Sequence, residues 1–125
     1  AHALIAAGKV DLGYHTLLLD GIPRTVKQVE LLQTVIEVKQ IVHLMIEDRD
    51  ALIQRLVKRA AKSNRLDDAD QKVIENRILV YERETHPVLV AYPKKLIARV
   101  NADQPPLGVL RDVAGALVNA VSGKI

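Results

Sequence analysis

Three short apolar runs, spaced so that helix-period segments fall between them, constrain the fold of this chain more than any other feature. Residues 16–19 end at Asp20-Gly21, residues 40–46 end at Glu47-Asp48, and residues 96–101 end near Asp103. The first two are almost continuously apolar, as in strands buried on both faces of a parallel sheet. Between them, Val29, Leu32, Val35 and Ile36 predict a helix over 26–38. Leu52, Ile53, Leu56 and Val57 predict another over 51–61, with Asp48 or Asp50 as its cap. A third helix is expected to begin near Asp68, where Asp68-Ala69-Asp70-Gln71 has the form of a capping box. It would carry Val73, Ile74, Ile78 and Tyr81 on one side. His86-Pro87 should end it, with Pro87 opening a further short helix. A last helix is predicted over 107–121.

Strands alternating with helices imply βαβ units, hence an α/β class with a parallel sheet. Such sheets receive ligands at the C-terminal ends of their strands. Attention therefore falls on Asp20-Gly21, Glu47-Asp48 and Ala102-Asp103-Gln104. There is no internal repeat, low-complexity segment or linker, and the polar stretch 60–68 is the one expected mobile excursion.

Composition narrows the function classes. All aromatic residues are Tyr, 3 of them in 125 residues, so the core must be aliphatic. Nucleic-acid binding by base stacking lacks its rings. With 18 basic and 15 acidic residues the net charge is +3, which suits a small polyanion better than a long phosphate backbone. The absence of cysteine removes disulfides and thiolate metal sites and fits a reducing compartment. No apolar run approaches the roughly 20 residues of a membrane span. The apolar Ala3 to Ala7 stretch is short and has no basic region before it, unlike a signal peptide. These features predict a cytoplasmic protein with neither nucleic-acid nor membrane partners. His2, His15, His43 and His86 are scattered without metal-ligand spacing. His43 reads as a core or edge residue and His86 as a helix-junction residue. Asp67-Asp68 reads as a helix cap and dipole partner rather than an acid–base pair.

Leu19-Asp20-Gly21-Ile22-Pro23-Arg24-Thr25 is the most specific string. A strand ends in a carboxylate, glycine lets another group approach the backbone, and proline fixes the turn. Arg24 then emerges at the strand's mouth, where its fork can grip a phosphate. Gln28 follows one helical turn later, with an amide able to both donate and accept toward an adenine edge. The plainer reading is a strand–turn–helix with polar surface residues. It suffices for an isolated Asp-Gly pair, but not for the whole string. A second set comprises Arg55 and Arg59 on one helix face, Arg65 in the polar excursion, and Arg77 on the next helix. Singly, each reads as a solvated charge or surface ion pair. Together they could neutralise a transferring phosphoryl group.

These strings resemble the adenylate kinases. Residues 19–28 resemble that family's L-D-G-[FYI]-P-R-T-x-x-Q. Gln54-Arg55-Leu56-Val57-Lys58-Arg59, then Asn64-Arg65-Leu66-Asp67-Asp68 and Arg77, resemble its short-lid form. Tyr81, Thr85, Pro87, Tyr92 and Val100-Asn101-Ala102-Asp103 resemble its closing segment. The resemblance covers residues 14–121. It implies a three-layer, parallel-sheet P-loop kinase fold with helices on both faces. It also implies reversible phosphoryl transfer from Mg-ATP to AMP, giving two ADP. By carry-over, Gly21, Ile22, Pro23 and Arg24 would hold AMP, with Arg24 on its phosphate and Gln28 on its adenine. Arg65 and Arg77 would reach the AMP phosphate and the transferring group. Arg55 would lie beside the ATP adenine, Arg59 on the ATP phosphates, and the backbone around Gln104 at the adenine border. Arg24, Arg59, Arg65 and Arg77 would be the catalytic arginines, and Asp20 would sit near Mg2+ through water. A lid over 60–67 would close to exclude water, between core segments 14–59 and 68–125. A monomer is expected.

The sequence departs from the family in one large respect. No G-x-x-G-x-G-K phosphate loop occurs in it; Gly8-Lys9 is a lone pair. The cradle of backbone N–H groups and the loop lysine that hold ATP phosphates are thus missing. Residues 1–13 resemble a remnant of the AMP-binding segment. A fragment, or ordered segments joined across gaps, is the expected explanation, with the N-terminal βα unit missing and this chain inactive alone. Asn64, in place of the glycine common before the lid arginine, and Gln104 are milder departures. The alternatives are a non-catalytic nucleotide-binding remnant and a related UMP or CMP kinase.

Overall fold

The computed structural model describes residues 16–63 and 70–122. In chain order these form α1 (Val26–Gln33), β1 (Ile41–Met45), α2 (Arg49–Lys62), α3 (Gln71–Val90), a 3-10 turn (Lys94–Leu96), β2 (Ile97–Asn101) and α4 (Pro106–Ser122). β1 and β2 pair in parallel as a two-stranded sheet, running from Ile41 opposite Ile97 to Met45 opposite Asn101. The Gln40 side chain fixes the start of this pairing, donating to the Leu96 carbonyl at 2.7 Å. At the other end the Ala102 N–H donates to the Met45 carbonyl at 2.8 Å. Both C-terminal turns thus leave the sheet side by side. This is an α/β arrangement with a small parallel sheet, as the alternation of runs predicts.

The run 16–19 does not form the expected strand. A strand is defined by its ladder, and among the described residues this run has none. Leu18 and Leu19 are exposed. β1 forms, but it is not buried on both faces, because Leu44 is 48% exposed. Helix α1 stops at Gln33, short of the expected 38. Thr34, Val35 and Ile36 are β-branched and lose χ1 freedom in a helix. The Thr34 hydroxyl also donates to the Leu31 carbonyl at 2.7 Å, closing the last turn.

Asp48 caps α2, accepting from the Asp50 and Ala51 N–H groups at 2.9 and 3.2 Å. Helix α3 starts at Gln71, later than expected. Its cap is Asp70, which accepts from the Lys72 N–H at 2.9 Å. Residues 64–69, with Asp68 and most of the lid expected over 60–67, lie outside the described residues, whereas residues 60–62 form the end of α2 and Ser63 is its C-cap. Pro87 neither ends α3 nor opens a new helix; it lies inside it. Its ring removes one i→i−4 hydrogen bond, at a cost of about 3 kcal/mol in an ordinary helix interior. The same helical face nonetheless continues past it, because Val88 and Tyr92 are buried against Val29, with Val38 and Ile41 around them. Burying side chains of this size returns roughly 1.5–3 kcal/mol each.

A second cluster joins α2 to α3: Ile53, Ile74 and Ile78, with Leu52, Leu56 and Val57 packed around them. Val73 and Tyr81, expected on that apolar side, are exposed instead. Arg49 grips both Glu82 carboxylate oxygens, at 3.0 and 2.9 Å, across the same two helices. Both side chains are half-exposed, so the pair adds at most about 1 kcal/mol. The described core contains no buried charge. Among the described residues no helix is long and apolar enough to cross a membrane.

Replacing Pro87 restores a helical N–H. Pro87→Ala is therefore expected to raise the thermal unfolding midpoint; a lowered midpoint would mean that the Val88–Tyr92 packing needs the proline's bend. His43 stands opposite Arg99 in the ladder. Burial, and then the Arg99 charge, lower its pKa below the usual 6.5. The folded state therefore binds a proton less readily than the unfolded chain. Stability from this residue is fully present above pH 6.5 and declines as pH falls below it. His43→Gln should flatten the stability loss between pH 7 and pH 5 in denaturant titrations, and an unchanged profile would refute this assignment.

Candidate functional site

The residues that follow the Thr16–Asp20 run form an interlocked turn. Gly21 has φ +74°, the left-handed region that disfavours side chains. Arg24 curls back over it, and its Nε–H donates to the Gly21 carbonyl at 2.9 Å. A Cβ at Gly21 would lie 3.2 Å from Arg24 Nη2, so the turn is shaped around this guanidinium. Thr25 caps α1, accepting from the Gln28 N–H at 3.2 Å. Gln28 Oε1 in turn accepts from the Arg24 N–H at 2.6 Å. Thr25-Val26-Lys27-Gln28 is thus a reciprocal cap of the Thr-x-x-Gln type, shifted by one residue at its return bond. This gives Gln28 a structural duty that the sequence reading did not foresee. Only one of the five guanidinium N–H groups of Arg24 serves this bond, so others remain for an anion.

A second constellation lies where β1 and β2 end. A cleft of about 560 Å³ is lined by Arg55, Lys58, Arg59 and Lys62 of α2, and by Asp103 and Gln104 of the turn after β2. The cations recur at i, i+3, i+4 and i+7, so they form one stripe along the helix. The opposite face carries Leu52, Ile53, Leu56, Val57 and Ala60, which explains why α2 presents the stripe outward. Like charges at this spacing repel by a few tenths of a kcal/mol per pair. Arg59 and Lys62 are in the last turn, where cations offset the helix dipole. Arg55 and Lys58 lie further in and gain less from it. Against four cations the cleft sets a single acid, Asp103. A polyanion would relieve the repulsion.

The far wall of the cleft is held by side-chain bonds. Arg55 Nη1 donates to the Ala102 carbonyl, tying α2 to the turn after β2. The Asp103 N–H donates to Asn101 Oδ1 at 2.8 Å. Gln104 Nε2 donates to the Asn101 carbonyl at 2.8 Å and to Asp112 Oδ2 at 2.7 Å. The bond from Gln104 to Asp112, and then one from Arg111, lower the Asp112 pKa below the ordinary carboxylate value.

Curated relatives of this sequence include several adenylate kinases. An adenylate kinase of Micrococcus luteus is 39% identical over 113 residues, spanning 86% of this chain and 52% of that protein. An adenylate kinase of Renibacterium salmoninarum is 36% identical over 114 residues, 87% of this chain and 56% of that protein. Adenylate kinase isoenzyme 1 of Cyprinus carpio is 33% identical over 104 residues, 82% and 52% respectively. The chain is a homologue of the adenylate kinases. It spans about half the length of the curated relatives it matches. No protein-family model matches it.

Of the residues singled out by their resemblance to adenylate kinases, Arg55, Arg59 and Gln104 are brought together in one cleft. Gly21, Ile22, Pro23, Arg24 and Gln28 form the separate turn at the start of α1. Neither this turn nor Asp20 and Arg77 line the cleft among the described residues. Arg77 is exposed on α3, and Arg65 lies outside the described residues. The sequence reading missed Lys58, Lys62 and Asp112. The two lysines were legible as members of the i, i+3, i+4, i+7 stripe; nothing in the sequence singles out Asp112. A second cleft, of about 340 Å³, lies against Gln33, Glu37 and Tyr92, away from the cations. The buried Tyr92 hydroxyl has no hydrogen-bond partner among the described residues, and burial raises its pKa.

The double role of Gln28 can be tested on stability alone. Gln28→Ala removes the acceptor for the Arg24 N–H and should destabilise the protein by about 1 kcal/mol in denaturant melts. Gln28→Glu keeps an acceptor and should cost less than half of that. Equal losses in the two variants would count against the cap.

Proposed function

We propose that this chain supplies the arginine-bearing part of an adenylate kinase, which transfers a phosphoryl group between ATP and AMP. The observation that carries the reading is the cation-striped cleft where the two parallel strands end, with Arg55, Arg59 and Gln104 on its walls. In this reading ATP lies in the cleft, its phosphates along Arg59 and the neighbouring lysines and its base toward Gln104 and Arg55. AMP lies against the Gly21–Gln28 turn, with Arg24 on its phosphate and Gln28 near its adenine. In the reaction the bond from the γ-phosphorus to the oxygen bridging to the β-phosphate breaks, and a bond to an AMP phosphate oxygen forms. No side chain need become a nucleophile. The work of Arg24, Arg59, Arg65 and Arg77 is to align the two phosphate groups and neutralise their charge.

Among the described residues no group of three or more acidic or histidine side chains could cage a metal. Mg2+ commonly needs only one or two carboxylates beside nucleotide phosphates. The lone exposed Asp20 fits that requirement, acting through water, and the ion would supply charge neutralisation at the phosphates. We further assign the whole protein a three-layer kinase fold, a short lid near 60–67, monomeric state and cytoplasmic location. These assignments rest on the resemblance to adenylate kinases.

The experiment is a calorimetric titration of the chain with ATP. The wild-type chain should bind it, and Arg59→Ala should weaken binding by about tenfold or more, the worth of a charge-assisted hydrogen bond. An affinity changed by less than about twofold would remove Arg59 from the phosphate site. Binding of AMP should respond to Arg24→Ala and not to Arg59→Ala.

A further inference from the structure

The cleft's far wall contains a lock whose purpose the fold alone does not explain. Gln104 Nε2 spends both of its N–H groups, one on the Asn101 carbonyl and one on Asp112 Oδ2. Both partners are pure acceptors, a backbone carbonyl and an ionised carboxylate, so the amide orientation is fixed. Its oxygen is turned toward Gly108, where an added Cβ would meet Oε1 at 2.6 Å and Cδ at 3.1 Å. The amide is therefore held from two sides, by an acceptor at 112 and by a missing side chain at 108. Gly108 has no other evident reason to be glycine. It lies in the first turn of α4, where alanine would favour the helix. Asp112 is likewise far from any helix terminus it could cap. The same lock closes the turn 101–104, which presents the Ala102 carbonyl to Arg55.

We propose that Asp112 is a positioning residue for nucleoside triphosphate binding. It holds the Gln104 carboxamide, with Gly108 leaving room for it, and so fixes the wall of the cleft that faces the nucleotide's base. The inference rests on the proposed function, since it takes the cleft to be the ATP site. Asp112 need not touch ATP; it acts through Gln104 and the turn.

The test is ATP affinity, measured by calorimetric titration together with thermal midpoints, in the full 125-residue chain. Asp112→Ala should weaken binding by about fivefold, the worth of one hydrogen bond. Asp112→Asn, which still offers an acceptor, should stay within about twofold of wild type. Gly108→Ala should weaken binding to a similar degree while leaving the thermal midpoint unchanged or higher, a combination that a merely structural role would not give. In a Gln104→Ala background neither substitution should weaken binding further, because the amide they act through is gone. Wild-type affinity in Asp112→Ala and Gly108→Ala would overturn the inference and leave the proposed function standing. Losses that persist in the Gln104→Ala background would also overturn it. Failure of the wild-type chain to bind ATP would instead overturn both.

Discussion

The parallel pairing of β1 with β2 is the constraint on which the rest depends. Its register is fixed at one end by Gln40 reaching the Leu96 carbonyl and at the other by the Ala102 N–H reaching the Met45 carbonyl. Parallel strands put their C-terminal turns on the same edge. Asp48, which starts α2, and the turn before α4 therefore open side by side. Arg55 can bridge from the helix to that turn only because the register puts Ala102 one step past the ladder. A one-residue slip would invert the facing of both strands and carry this contact away.

Helix α2 shows how one sequence satisfies core and site together. Ile53 and Ala60 are buried, and Leu52, Leu56 and Val57 pack with Ile74 and Ile78. Between them stand Gln54 and the cations Arg55, Lys58 and Arg59, and 3.6 residues per turn sorts these onto the other face. Apolar burial holds the helix in place against the mutual repulsion of the stripe. The backbone from which the cations would reach a phosphate ligand is thus held before the ligand arrives, and Arg55 is further held by the Ala102 carbonyl.

Much of this was legible in the sequence, and the misses have physical causes. Helices over 51–61 and 107–121, and strands over 40–46 and 96–101, follow from apolar period and fall close to the observed elements. Pro87 misled because local propensity was outweighed by the burial of Val88 and Tyr92, whose partner Val29 is distant in sequence. The strand expected at 16–19 has the right residues, but strand formation needs a partner, which composition cannot supply. At the site, Arg55, Arg59 and Gln104 were visible as residue types at strand ends. The lock through Asp112 was not, because a helical aspartate announces nothing until its neighbour across the turn is known. Gln28 was read for its amide chemistry, whereas its spacing from Thr25 also carried a capping signal.

Pro87 has a mechanical consequence. The carbonyl of Arg83 has no N–H four residues on from which to accept, so the backbone of α3 carries one missing rung. That rung falls between Ile78, which belongs to the cluster under α2, and Val88, which belongs to the cluster over α1. The weak point of α3 therefore lies in the stretch that joins the two clusters. A helix yields most readily where a rung is missing, so α3 is easier to bend between these two clusters than within either.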